Sequence, residues 1–98
     1  MNNGLISNSH PTFGVLHVCP GSGDDPCDIR FDAALVFRTL GLRFDPTIHQ
    51  KWLTMLSLYT TLRSVDTERS RQYQRWIFST VVPAAIRYSS TPKPLTLL

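Results

Sequence analysis

A chain of 98 residues and 11.1 kDa holds one small domain with short tails and has no room for a second. Hydrophobic residues make up 42% and charged residues 17%, enough apolar material for a core and too little charge for a chain that stays unfolded. The net charge of +3 is unevenly spread: residues 1–18 carry no charged side chain, residues 19–32 set Asp24, Asp25, Asp28 and Asp32 against Arg30 alone, and the remaining lysines and arginines all follow. Such segregation favours an anionic partner or the head-to-tail association of copies.

In chain order, residues 1–9 are expected to be a flexible lead-in. Phe13, Val15 and His17 then alternate with Gly14, Leu16 and Val18, which predicts a half-buried strand over 13–18. The run Cys19-Pro20-Gly21-Ser22-Gly23-Asp24-Asp25-Pro26 stacks turn-forming residues and reads as a loop. Residues 28–44 admit two readings. Ile29, Phe31, Ala33, Leu35 and Phe37 suit a strand, whereas Asp32 can cap a helix that Gly41 stops in the left-handed conformation. We take a strand at 29–31 and a helix at 33–40.

Asp45-Pro46 forms a helix-start signal, and Ile48, Trp52, Met55, Tyr59 and Leu62 follow at helical spacing, which predicts a helix over 46–63. Its other face would hold Gln50, Leu53, Thr54, Ser57, Thr60 and Thr61. Serine and threonine are poorer helix formers than glutamate and lysine, so an uncharged face bearing Leu53 is expected to be covered by the strands or by another chain. Asp66 can cap a second helix over 67–82, with Thr67 and Glu68 in its first turn and Tyr73, Trp76, Ile77 and Thr80 along one side. Pro83 should end or kink it, and residues 84–88 add a further turn. Residues 89–98 read as an extended tail.

The loop contains the pattern Asp24-Asp25-Pro26-Cys27-Asp28, but a proline inside it and the lack of a second acidic cluster argue for a polar turn over a catalytic cation site. His17, Cys19 and Cys27, with His10 or His49, have no standard zinc-knuckle spacing, and two small thiols near a hairpin explain them better. Cys19, His17 and Asp28 have no local motif that would make them a nucleophile and its base. The Gly21-Ser22-Gly23 turn lacks the lysine and helix of a phosphate-binding loop. Thr96-Leu97-Leu98 fits the terminal form that adds a strand to a sheet edge, or an apolar tail folded onto the domain. Arg63, Arg69, Arg71 and Arg75, interleaved with Tyr73 and Trp76, form the strongest cluster, since guanidinium forks suit phosphates and carboxylates and aromatic rings stack on bases.

Together these signals predict an α+β domain over 10–88, with an N-terminal β-strand pair packed on two or three α-helices. The expected function is non-enzymatic. An accessory protein would act as a homodimer and bind a further protein through Gln50, Leu53, Thr54, Ser57, Thr60 and Thr61. The alternative is an RNA- or DNA-binding protein using Arg63, Arg69, Arg71 and Arg75. No catalytic residue, cofactor or metal ligand is assigned. The amino-terminal residues lack a basic start ahead of an apolar run, and the longest such run falls far short of the ~20 residues of a membrane span. An intracellular location, cytoplasm or nucleus, without integral membrane association, is therefore expected. Serine, leucine and arginine, the residues with six codons, fill 29 positions, a bias shared by compact viral genomes and GC-rich coding.

Overall fold

The computed structural model describes residues 5–21 and 28–90. Strands β1 (Ile6–His10), β2 (Gly14–Cys19), β3 (Arg30–Asp32) and β4 (Trp52–Leu53) form an antiparallel sheet in the order β1-β2-β3-β4. Helix α1 (Ala33–Thr39) follows β3 directly, and α2 (Met55–Ser64) follows β4. Helix α3 (Glu68–Trp76) runs through a wider π-helical turn (Ile77–Val81) into α4 (Val82–Ser90). This is the small α+β domain that the sequence predicts.

Strand β2 anchors the sheet. Its residues alternate sides, as a pleated strand requires, so Leu16 and Val18 are fully buried while Val15 is exposed. On the buried side they meet Phe31 of β3, Leu53 of β4, Val36 of α1, Leu58 and Leu62 of α2, and Tyr73, Ile77 and Val81 of the last helical stretch. The β1–β2 hairpin turns at Pro11-Thr12-Phe13. His10 Nδ1 accepts the amides of Thr12 (3.0 Å) and Phe13 (3.4 Å), and Gly14 takes a φ of +78° that a side chain would strain.

Region 28–44 follows its second reading closely. Asp32 Oδ1 accepts the Leu35 amide at 3.2 Å and caps α1. At the other end the Leu42 amide bonds the Phe37 carbonyl (2.8 Å), the Gly41 amide bonds that of Arg38 (3.1 Å), and Gly41 sits at φ +76°. That is a Schellman ending, with glycine at the left-handed position.

Other expectations need correction. The lead-in ends early, because Ile6 already pairs with Val18 and β1 stays in register through His10↔Gly14. The long helix over 46–63 does not form. Asp45 Oδ1 accepts the Thr47 amide (2.9 Å) and hydroxyl (2.7 Å), which closes a single turn. The chain then extends so that Trp52 and Leu53 pair with Asp32 and Phe31, and α2 starts only at Thr54, whose hydroxyl accepts the Ser57 amide at 3.0 Å. Thr67, not Asp66, caps α3 by accepting the Ser70 amide at 3.1 Å. Pro83 does not end the helix. The π turn comes immediately before it, with the Val82 amide reaching back five residues to the Ile77 carbonyl. One extra residue in the turn lets a helix carry a ring that lacks an amide and crowds the preceding turn. Residues 22–27, with most of the acidic loop, and residues 91–98, with Thr96-Leu97-Leu98, lie outside the described residues; Ser89 and Ser90 belong to α4, not to a tail.

Candidate functional site

The six residues expected to share an outward face are separated by the new start of α2. Gln50 lies exposed in the loop before β4, and Leu53 lies in the core with 8% of its surface accessible. Thr54 and Ser57 build the cap, with their hydroxyls 3.0 Å apart. Thr61 donates its hydroxyl to the Ser57 carbonyl at 2.8 Å, and of the six only Gln50, outside the helix, and Thr60, on it, are exposed.

A different row faces outward. With α2 beginning at Met55, helical spacing places Leu58 and Leu62 inward and aligns Leu56, Tyr59, Thr60 and Arg63 on the opposite side. Leu56 is 75% exposed and Tyr59 40%. Arg63 lies one turn beyond Tyr59, with its guanidinium 5.7 Å from the ring centroid and Nη1 donating to the phenolic oxygen at 3.0 Å. That hydrogen bond raises the Arg63 pKa further and helps hold the fork over the ring.

Beside this row, α2 and α3 enclose an open groove of about 620 Å³ that gathers Arg63, Arg71 and Arg75 with Asp66, Tyr59 and Phe78. The helices are pinned together where the Ser70 hydroxyl donates to the Leu62 carbonyl at 2.9 Å, a buried bond between α3 and α2. The three guanidinium groups are in different states. Arg71 is held by Asp66 at 2.7 Å and Glu68 at 3.2 Å. Arg63 bonds an uncharged phenol, and Arg75 has no carboxylate partner among the described residues. The aromatic edges of the groove come from Tyr59 and Phe78, 6.4 Å apart and nearly perpendicular.

Arg69 leaves this cluster. Its Nε donates to the Thr39 carbonyl at 3.0 Å and its guanidinium lies 5.2 Å from the Phe13 ring, so it ties α3 to the end of α1 and to the β-hairpin. Tyr73 and Trp76 also turn away from the groove. Tyr73 is buried against Phe13, and Trp76 packs on Phe13 and edge-on to His10. The expected interleaving of these two rings with the arginines is therefore not what forms. Tyr59 and Phe78 take that place, and the local signals for them are the four-residue spacing of Tyr59 and Arg63 on one helix and the helical spacing that sets Phe78 on the side of Arg71 and Arg75.

The other polar clusters lie elsewhere. His17 Nδ1 stands 3.9 Å from Asp32 Oδ2 on the open side of the sheet, in a row continued by Ser7 and Trp52, while Asp32 also serves as the α1 cap. His49 is packed between Phe37 and Phe44 and accepts the Asp45 amide at 2.9 Å. Among the described residues, no three His, Cys, Asp or Glu side chains converge as metal ligands, and no helix is long and apolar enough to cross a membrane. Comparison with models of protein families, with curated proteins and with solved structures finds no match for this chain.

Proposed function

We propose that this chain is a non-enzymatic binding protein that engages another protein through the outward row of α2 and the groove beside it. The observation that carries this reading is Leu56, a large apolar side chain three-quarters exposed in the first turn of α2, on the same side as Tyr59 and Arg63. Covering a leucine removes apolar surface worth about 2 kcal/mol from water. Tyrosine and arginine are also the residues that most often dominate a protein interface. The row is thus composed as an anchor with a polar rim.

The homodimer expected from the sequence leaned on a face that β4 and the Thr54 cap divide. A second copy remains one partner that the Leu56–Tyr59 row suits. Nucleic-acid binding is the second reading, favoured by the three arginines that share one groove with two aromatic edges. Asp66 and Glu68 weigh against it, because they already neutralise Arg71 and so interrupt the continuous basic track that a phosphate backbone follows.

Site-specific photo-crosslinking inside cells tests the reading. A photoreactive residue replacing Leu56 should give protein adducts, and the same residue replacing the exposed Ser7 on the sheet should not. Adducts of twice the chain mass would identify a second copy, and nuclease-sensitive adducts would favour the nucleic-acid reading. Equal adduct yields at positions 56 and 7 would overturn the proposal.

A further inference from the structure

We infer that the protein segment seated on this face is an acidic amphipathic helix, its carboxylates held by Arg75 and Arg63 and its apolar side chains by Leu56, Tyr59 and Phe78. This rests on the protein-binding reading above and gives the partner its chemistry.

The groove carries charge that the fold itself leaves largely unused. Of the three guanidinium groups in the groove, Arg71 is already bridged by two carboxylates of its own chain. Arg63 bonds a neutral phenol, with Asp66 acting on it only through space, and Arg75 has no carboxylate within ion-pair distance among the described residues. A guanidinium offers five donors in a planar fork that matches a carboxylate with two parallel bonds. The two forks stand on facing helices, one on α2 and one on α3, across a groove edged by Tyr59 and Phe78. An occupant that satisfies both must present acidic groups on either side of an apolar ridge. A helix does this when apolar residues recur every three to four positions and glutamates flank them. The ten residues of α2 give a track of about 15 Å, the length of an equally short partner helix. A nucleic-acid strand would offer anions to the same forks without an apolar ridge, and would leave Leu56 uncovered.

The test uses the full chain and three synthetic four-turn helical peptides with the same leucine ridge, flanked by glutamate, glutamine or lysine, together with a short single-stranded RNA. Fluorescence anisotropy should show the glutamate peptide binding at least tenfold more tightly than the glutamine peptide. Arg75→Glu should weaken the glutamate peptide by tenfold or more and shift the preference to the lysine peptide, with helix content by circular dichroism unchanged because Arg75 is exposed. Equal binding of glutamate and glutamine peptides overturns the acidic partner. If Leu56→Asp still weakens both in that case, the protein-binding face itself survives. Binding of none of the peptides also overturns the inference. Steeply salt-dependent RNA binding that Arg75→Glu abolishes, without peptide binding, overturns both proposals.

Discussion

Residues 32–44 and residues 45–64 open alike, each with an aspartate ahead of apolar side chains at helical spacing, and they fold differently. Asp32 reaches the amide three residues on and starts α1 at once. Asp45 reaches the amide two residues on, closes one turn, and the chain then straightens into β4 before Thr54 starts α2. The two carboxylates have the same chemistry, so the cause lies in what each segment must cover. Asp32 ends a strand whose partner is in place. The segment after Asp45 has to supply a partner to β3, and only an extended 52–53 sets Leu53 opposite Phe31. A capping residue permits a helix to begin, and the sheet edge decides where it does.

The strongest test of that contrast exchanges one leucine for aspartate on either side of the Thr54 cap. Leu53→Asp places a charge beside Phe31 among the apolar side chains of the core, and should cost more than about 4 kcal/mol, enough to unfold so small a domain. Leu56→Asp adds a charge to an exposed position and should shift urea stability by less than about 0.5 kcal/mol. If α2 instead ran unbroken from residue 46, Leu53 would face outward and its replacement would be the tolerated one.

The same two regions explain which parts of the fold were legible in the sequence. Asp32 and Gly41 are local signals, each with one conformational job, and both do what their chemistry predicts. Ile48, Trp52, Met55, Tyr59 and Leu62 satisfy a helical period only because a two-residue strand and a later helix happen to join in phase. In fact Ile48 is 74% exposed. Strand β1 was hidden for the opposite reason: with Ile6 its only aliphatic residue, it has no alternation to detect, and pairing with β2 makes it a strand. The groove was half visible. Arg63, Arg71 and Arg75 read as a basic cluster, and Phe78 falls on the side of Arg71 and Arg75 at helical spacing, whereas Tyr73 and Trp76 are drawn inward by Phe13.

A smaller effect measures how tightly the first region is clamped to the helices. The Tyr73 hydroxyl is buried with no hydrogen-bond partner among the described residues, near Thr39, whose own hydroxyl points to the Phe13 carbonyl at 3.4 Å. Burial pushes its pKa up to about 12, with Thr39 and Arg69 opposing only part of the shift. Because the folded form holds its proton more firmly than the unfolded chain, the Tyr73 contribution to stability is constant below pH 10 and falls between pH 10 and 12, by about 2 kcal/mol. Tyr73→Phe should abolish that alkaline loss and leave stability at neutral pH equal or higher, since no bond is broken. An unchanged alkaline limb in the phenylalanine variant would mean that the hydroxyl is hydrated, and that the end of α1 is looser than its packing against Arg69 and Tyr73 implies.

The finest distinction is between the two candidate starts of the middle helix. Thr54→Ala removes the oxygen that accepts the Ser57 amide and should cost about 1 kcal/mol, with Thr54→Ser retaining most of it. Asp45→Asn should cost less than Thr54→Ala, because its turn is exposed and continues into no helix. It leaves a signature in acid instead. Bonds from the Thr47 hydroxyl and amide hold the Asp45 carboxyl below its ordinary 3.8, so its contribution is complete above that pH and is lost as the pH falls through the folded value. Denaturation curves from pH 7 down to pH 2 should therefore run parallel for the wild type and Thr54→Ala, offset by a constant amount, whereas Asp45→Asn converges with the wild type at the acid end. Should the threonine variant be the one that converges and the asparagine variant cost more, the turn after Asp45 would be what positions α2, and the sheet edge would have lost its claim to set where that helix begins.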